Sequence, residues 1–144
     1  MKYSSRSLFT LATLSCLIPF SVKAQITPDN SLGEESSIVT SLDEEGFPID
    51  QIDGGATRGN GLFHSFQDFN VDVNRGAYFS NPDGINNIFS RVIGINPSNI
   101  NGTLGVLGDA NLFLINPNGI IFGQNSRLDL GGSFFGSCCK EKWS

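Results

Sequence analysis

The feature that most constrains the fold is a turn element, Asn116-Pro117-Asn118-Gly119-Ile120, that lies between two short apolar runs. Asn at the first position can cap a tight turn with its side chain, Pro at the second fixes φ, and Gly at the fourth is the usual residue of a type I turn. A similar element, Asn81-Pro82-Asp83-Gly84, occurs earlier in the chain. The chain is therefore predicted to consist of short strands joined by tight corners.

The part of the chain after residue 81 alternates short apolar clusters with turn residues. No segment keeps a 3.6-residue hydrophobic period long enough for a long helix, and the separations are too short for βαβ units. Short strands and one recurring corner type favour an all-β solenoid over a barrel, with an ordinary antiparallel sandwich as the alternative. Asn side chains at repeated corners are expected to hydrogen-bond one another between coils. The apolar clusters lie at 85–89, 92–95, 100–107, 112–115, 120–122 and 128–130.

Two other regions carry weaker patterns. Residues 25–50 are polar and rich in turn residues, which predicts a loosely ordered lead-in or one or two edge strands. Phe69, Val71 and Val73 alternate with polar residues, which predicts a half-buried strand with these three side chains on its inner face.

The first 24 residues have the pattern of a cleaved secretory signal peptide. Lys2 and Arg6 precede an apolar run at 8–20, and Val22-Lys23-Ala24 places small residues at the −3 and −1 positions of a cleavage site. The apolar run is shorter than the ~20 residues that span a bilayer, so a membrane anchor is the weaker alternative. The mature chain is expected to begin at Gln25.

The charge balance excludes one class of partner. Without residues 1–24 the chain keeps six basic residues against 14 acidic ones, a net charge of −8. The basic residues are not clustered, and nucleic-acid-binding domains need a basic patch. Nucleic acid is therefore not expected as a partner.

The end of the chain changes composition abruptly. Residues 128–135 resemble one more coil, whereas the tail at 138–144 holds Trp143 and two adjacent cysteines, Cys138 and Cys139. The pattern predicts a solenoid truncated at its C-terminal end, from a shortened or frameshifted reading frame, with a natural polar terminus as the alternative. Two cysteines so close together also provide no disulfide framework.

No constellation in the sequence predicts catalysis, a metal site or a cofactor. His64 is the single histidine, and no Cys or second His lies near it in sequence. Asp68 and Asp72 fall on the same face of an extended strand but about 13 Å apart. A β-helical polysaccharide lyase or hydrolase fragment is the alternative reading, although the arginines that a lyase needs beside the scissile uronate are isolated from one another.

Four segments resemble a known family. Residues 61–66, 69–71, 105–108 and 111–123 are similar to the N-terminal secretion domain of filamentous haemagglutinin-like proteins, the passengers of two-partner secretion. Asn116-Pro117-Asn118-Gly119-Ile120 matches the hallmark element of that family. The resemblance covers about residues 26–137, and it assigns 25–137 to the N-terminal part of a haemagglutinin-type secretion domain and 138–144 to a divergent tail.

The resemblance implies a fold and a route. The fold is a right-handed parallel β-helix, a single-stranded β-solenoid, with extra-helical antiparallel strands. The route is Sec export to the periplasm, recognition by the POTRA domains of an outer-membrane β-barrel transporter, and folding at the cell surface as a monomeric part of a secreted adhesin.

The resemblance also implies which residues matter. Asn116, Pro117, Asn118, Gly119 and Ile120 are expected to form the transporter-recognition and folding motif. The family's second element, Asn-Pro-Asn-Leu, is absent, and Asn81-Pro82-Asp83-Gly84 or Asn96-Pro97-Ser98-Asn99 is expected to stand in for it as a secondary turn motif. A non-functional truncated adhesin is the further alternative.

Overall fold

The computed structural model describes residues 25–138, and these form β-strands, turns and one 3₁₀ turn at Gly33–Glu35. The predicted signal peptide and residues 139–144 of the predicted tail lie outside the described residues. Within residues 25–138 no helix is long and apolar enough to cross a membrane. The strands are β1 (Ile26–Pro28), β2 (Ser37–Glu44), β3 (Phe47–Gly54), β4 (Ala56–Arg58), β5 (Gly61–Phe69), β6 (Gly76–Ser80), β7 (Asn87–Val92), β8 (Ser98–Ile100), β9 (Thr103–Leu107), β10 (Asn111–Ile115), β11 (Ile120–Phe122), β12 (Arg127–Asp129) and β13 (Phe134–Ser137).

Most strands stack in parallel, coil upon coil. One face is the parallel series β3, β6, β9 and β12, and a second is β5, β7, β10 and β13. The third face pairs β8 with β11. Each coil thus contributes one strand to each face, and about four coils follow one another. The predicted all-β solenoid is confirmed.

Antiparallel strands cover the N-terminal end of this stack. β1 and β4 both pair with β5, and β2 pairs with β3 in a hairpin of eight residue pairs. An uncovered strand edge presents unpaired N–H and C=O groups, so these three strands protect the first coil. The predicted extra-helical antiparallel strands are confirmed, and residues 25–50 form edge strands rather than a loosely ordered lead-in.

The core is a column of apolar side chains inside the coils. Phe66, Phe69 and Phe79 are almost fully buried, and the Phe69 and Phe79 rings stack with centroids 5.8 Å apart. Val71 is also buried, through an isolated parallel bridge to Ile100. The prediction that Val73 continues this face is wrong, because β5 ends at Phe69 and the chain turns near Asn74, which leaves Val73 50% exposed.

A second column of aromatic rings runs along the outside of the stack. Phe63, Phe89, Phe113 and Phe135 occupy register-paired positions of β5, β7, β10 and β13. Their rings stack in sequence with centroids 4.9, 4.7 and 4.6 Å apart. The same outward position is therefore occupied by Phe in four successive coils, which agrees with the parallel register.

Candidate functional site at the asparagine-proline corners

The predicted motif forms a tight corner between β10 and β11. The Gly119 N–H donates to the Asn116 carbonyl at 3.0 Å, and the Asn118 N–H donates to Asn116 Oδ1 at 2.9 Å. Gly119 has a φ of +119°, a conformation that side-chain-bearing residues rarely adopt. The first, third and fourth residues of the element therefore each take part in closing the turn.

The side chain of Asn116 also joins two coils. It is fully buried, and its Nδ2 donates to the Asn96 carbonyl and to Ser98 Oγ, both at 3.0 Å. Ser98 is fully buried too. Because both Nδ2 hydrogens and Oδ1 have partners, this buried amide is satisfied, and its loss would leave two polar atoms of the preceding coil without that partner.

The rest of the corner lies on the preceding one. Asn118 Nδ2 donates to the Gly94 carbonyl at 2.6 Å, and the Ser98 N–H donates to the Gly119 carbonyl at 2.9 Å. A Cβ added at Gly119 would lie 3.8 Å from Cβ of Pro97. The structure thus places the Asn96-Pro97-Ser98-Asn99 segment directly against the hallmark corner.

Asn81-Pro82-Asp83-Gly84 forms a different corner, between β6 and β7. Here the Ile85 N–H donates to the Pro82 carbonyl at 3.2 Å, so the turn begins one residue later than in the hallmark corner. Gly84, with a φ of +83°, occupies its third position, as in a type II turn. The two elements share a sequence pattern but neither the turn nor the edge of the solenoid.

Asn81 nevertheless connects coils in its own way. Its Oδ1 accepts the Ala110 N–H of the next coil at 2.9 Å, while its Nδ2 donates to the Ile85 carbonyl at 3.0 Å. Asn111 and Asn87 form a direct amide pair between coils, with Nδ2 to Oδ1 at 3.0 Å. The expectation that Asn side chains bond one another between coils is confirmed for this pair.

His64 is a core residue. It is 2% exposed, its ring lies near Phe66 and Phe79, and its Nδ1 is 2.8 Å from Ser37 Oγ. Burial lowers the pKa of His64 to about 4, against a smaller opposite effect of Asp53. No group of three His, Cys, Asp or Glu side chains is placed to hold a metal ion anywhere in residues 25–138.

Asp68 and Asp72 line one open polar groove. The groove is also lined by Asn70, Asn96 and Asn99, and Asn96 Nδ2 donates to Asp68 Oδ1 at 3.0 Å. Among the described residues, its lining includes no Arg or Lys. Two carboxylates in one groove fit the alternative of a polysaccharide-cleaving enzyme, but the missing cation does not.

Two polar clusters that the sequence did not reveal fix the N-terminal strands. Arg75 binds the buried carboxylate of Asp50 through its Nε at 2.7 Å and its Nη2 at 2.5 Å, and this holds the pKa of Asp50 below its usual value despite burial. Near β1, Ser65 Oγ donates to Asp29 and accepts from Arg91 Nε at 2.9 Å. Both depend on residues 25 or more positions apart, so no local sequence signal could have indicated them.

Comparison with known proteins follows the same boundaries. A family model described as a TPS secretion domain matches residues 24–140, most of the chain. No curated protein matches it. The family match includes every strand described above and both asparagine-proline corners.

Proposed function

The chain belongs to the TPS secretion domain family, and we propose that it is the secretion and targeting module of a two-partner-secretion surface adhesin. Membership of this family implies a secreted protein whose partner is an outer-membrane transporter. In the proposed route the leader directs Sec export, and the POTRA domains of the transporter bind the chain in the periplasm. The domain then folds at the cell surface.

The observation that carries the proposal is the buried amide of Asn116, which closes its own turn and bonds the preceding coil. The turn bonds join residues two and three positions apart, so they can form before any long-range pairing. The bonds to Asn96 and Ser98 then fix where the next coil lies on the last one. A corner of this kind supports a role in nucleating the solenoid once the chain leaves the transporter.

The test is an export assay in cells that supply the cognate transporter. Replacing Asn116 and Asn118 by Ala is expected to reduce the amount of protein released, relative to the unchanged chain. Asn125→Ala is the matched control, because Asn125 is exposed in the following corner. Unchanged export of the Asn116 and Asn118 variants would count heavily against the proposal.

A β-helical polysaccharide lyase or hydrolase is the second candidate, because Asp68 and Asp72 share one groove. It predicts cleavage of acidic glycans that is lost in Asp68→Asn or Asp72→Asn. We favour the secretion module, since the lining of the groove holds no cation to neutralise a uronate.

A further inference from the structure

The two ends of the described solenoid differ. β1, β2 and β4 cover the N-terminal end, whereas β11, β12 and β13 each pair within residues 25–138 with one earlier strand only. We call these last three strands the C-terminal rim. The rim leaves four large apolar side chains about half exposed: Ile121 (53%), Phe122 (42%), Leu128 (48%) and Phe135 (49%).

The spacing of the rim is symmetric about Leu128. Leu128 is the middle residue of β12, and a four-residue corner separates β12 from β11 on one side and from β13 on the other. Each strand also rises from the last along the helical path, so β13 stands above β12 by about as much as β11 lies below it. A two-fold axis through Leu128 therefore brings the projecting β13 of one copy onto the recessed β11 of a second.

The side chains that this axis brings together match one another. Phe134 meets Phe122 of the second copy, because each is six residues from Leu128, and both belong to inward-facing columns. Phe135 meets Ile121 of the second copy on the outer face, at seven residues. Apolar side chains that are half exposed in one copy would thus cover those of the other.

The charges of β12 are self-complementary under the same axis. Arg127 and Asp129 flank Leu128, so antiparallel pairing of β12 with its copy places each Arg127 opposite an Asp129. The Tyr78 hydroxyl donates to Asp129 at 2.9 Å and holds that carboxylate in position. Arg127 is in neither of the two ion pairs formed within residues 25–138.

From this symmetry we propose that the chain forms a closed homodimer in which two C-terminal rims pair antiparallel about Leu128. The pairing satisfies the unpaired backbone groups of β12 and β13 and covers the apolar rim of each copy. It stops at two copies, because the N-terminal end is already covered by antiparallel strands. The proposal replaces the sequence-based expectation of a monomer and does not depend on the proposed function.

The test is the mass of the full chain, refolded after denaturing purification, measured by sedimentation over a range of concentrations. The unchanged chain is expected to be a dimer. Arg127→Asp and Asp129→Arg should each weaken dimerisation roughly thirtyfold, since two attractive pairs become repulsive. Glu34→Arg, an exposed charge reversal at the other end of the fold, should leave it unchanged.

Mixing gives the decisive result. Equal amounts of the Arg127→Asp and Asp129→Arg chains restore both opposite-charge pairs in a mixed dimer, and the double variant restores them in a homodimer. Far-ultraviolet circular dichroism of each variant checks that it folds. A monomer at all concentrations, dimerisation indifferent to both reversals, or no recovery on mixing would overturn the proposal.

Discussion

The amide nitrogen of Asn116 donates a 3.0 Å hydrogen bond to the hydroxyl of Ser98, which lies one coil earlier, and both side chains are fully buried. The bond connects two corners that are 18 residues apart in sequence. It explains in structural terms why an Asn is suited to the first position of the hallmark element, since the same amide also closes its own turn.

Removing this amide should destabilise the folded domain. Asn116→Ala leaves Ser98 Oγ and the Asn96 carbonyl without their bonds, and it is expected to lower the free energy of unfolding by about 2 kcal/mol. Urea denaturation measures the change. Ser98→Ala should cost less, and a double-mutant cycle should show coupling between the two positions. Additive effects would mean that the bond does not contribute.

Stability should fall in mild acid because of His64. Its pKa is about 4 in the folded domain and about 6.5 in an unfolded chain, so the unfolded state binds more protons between these values. The free energy of unfolding is therefore greatest above pH 6.5 and should decrease by roughly 3 kcal/mol as the pH falls to 4. Denaturation at several pH values measures this slope.

His64→Gln is the control for that prediction, because Gln does not titrate. The carboxylates of Asp29 and Asp50 have lowered pKa values, so their contributions are lost only at more acidic pH. If the slope between pH 4 and 6.5 survives in His64→Gln, another group is responsible.

The two ion pairs of the structure should differ in importance. Arg75→Met leaves the Asp50 carboxylate, whose side chain is 7% exposed, without its cation, and it is expected to cost about 2 kcal/mol. Arg58→Met removes an exposed pair with Glu35 and should produce no measurable change. Thermal or urea unfolding compares them, and equal effects would contradict the difference in burial.

The outer column of phenylalanines should behave as a stack. Phe113 stacks on both Phe89 and Phe135, whereas Phe63 stacks on Phe89 alone. Phe113→Ala should therefore destabilise more than Phe63→Ala, by about 1 kcal/mol, the contribution of one aromatic pair. Phe113→Leu, which keeps apolar volume without a ring, distinguishes stacking from burial.

The elements themselves were predictable because their signals are local. Turn residues at 116–119 and 81–84 mark corners, and short apolar runs between them mark strands. The same locality produced errors. Val73 continues the alternation of Phe69 and Val71 but is half exposed, because the chain has already left the strand. The Asn81 element has the letters of the hallmark but forms another turn.

Sequence by itself determined the all-β class, the corners and the family, since each depends on residues that are neighbours in the chain. Only the tertiary structure decided that Asn116 meets Ser98, that Asp50 meets Arg75 and that His64 lies in the core. Those contacts depend on the perimeter of each coil. The parallel register advances by 27 residues from Gly76 to Thr103 and by 24 from Thr103 to Arg127, so no fixed repeat in the sequence indicates which residues will stack.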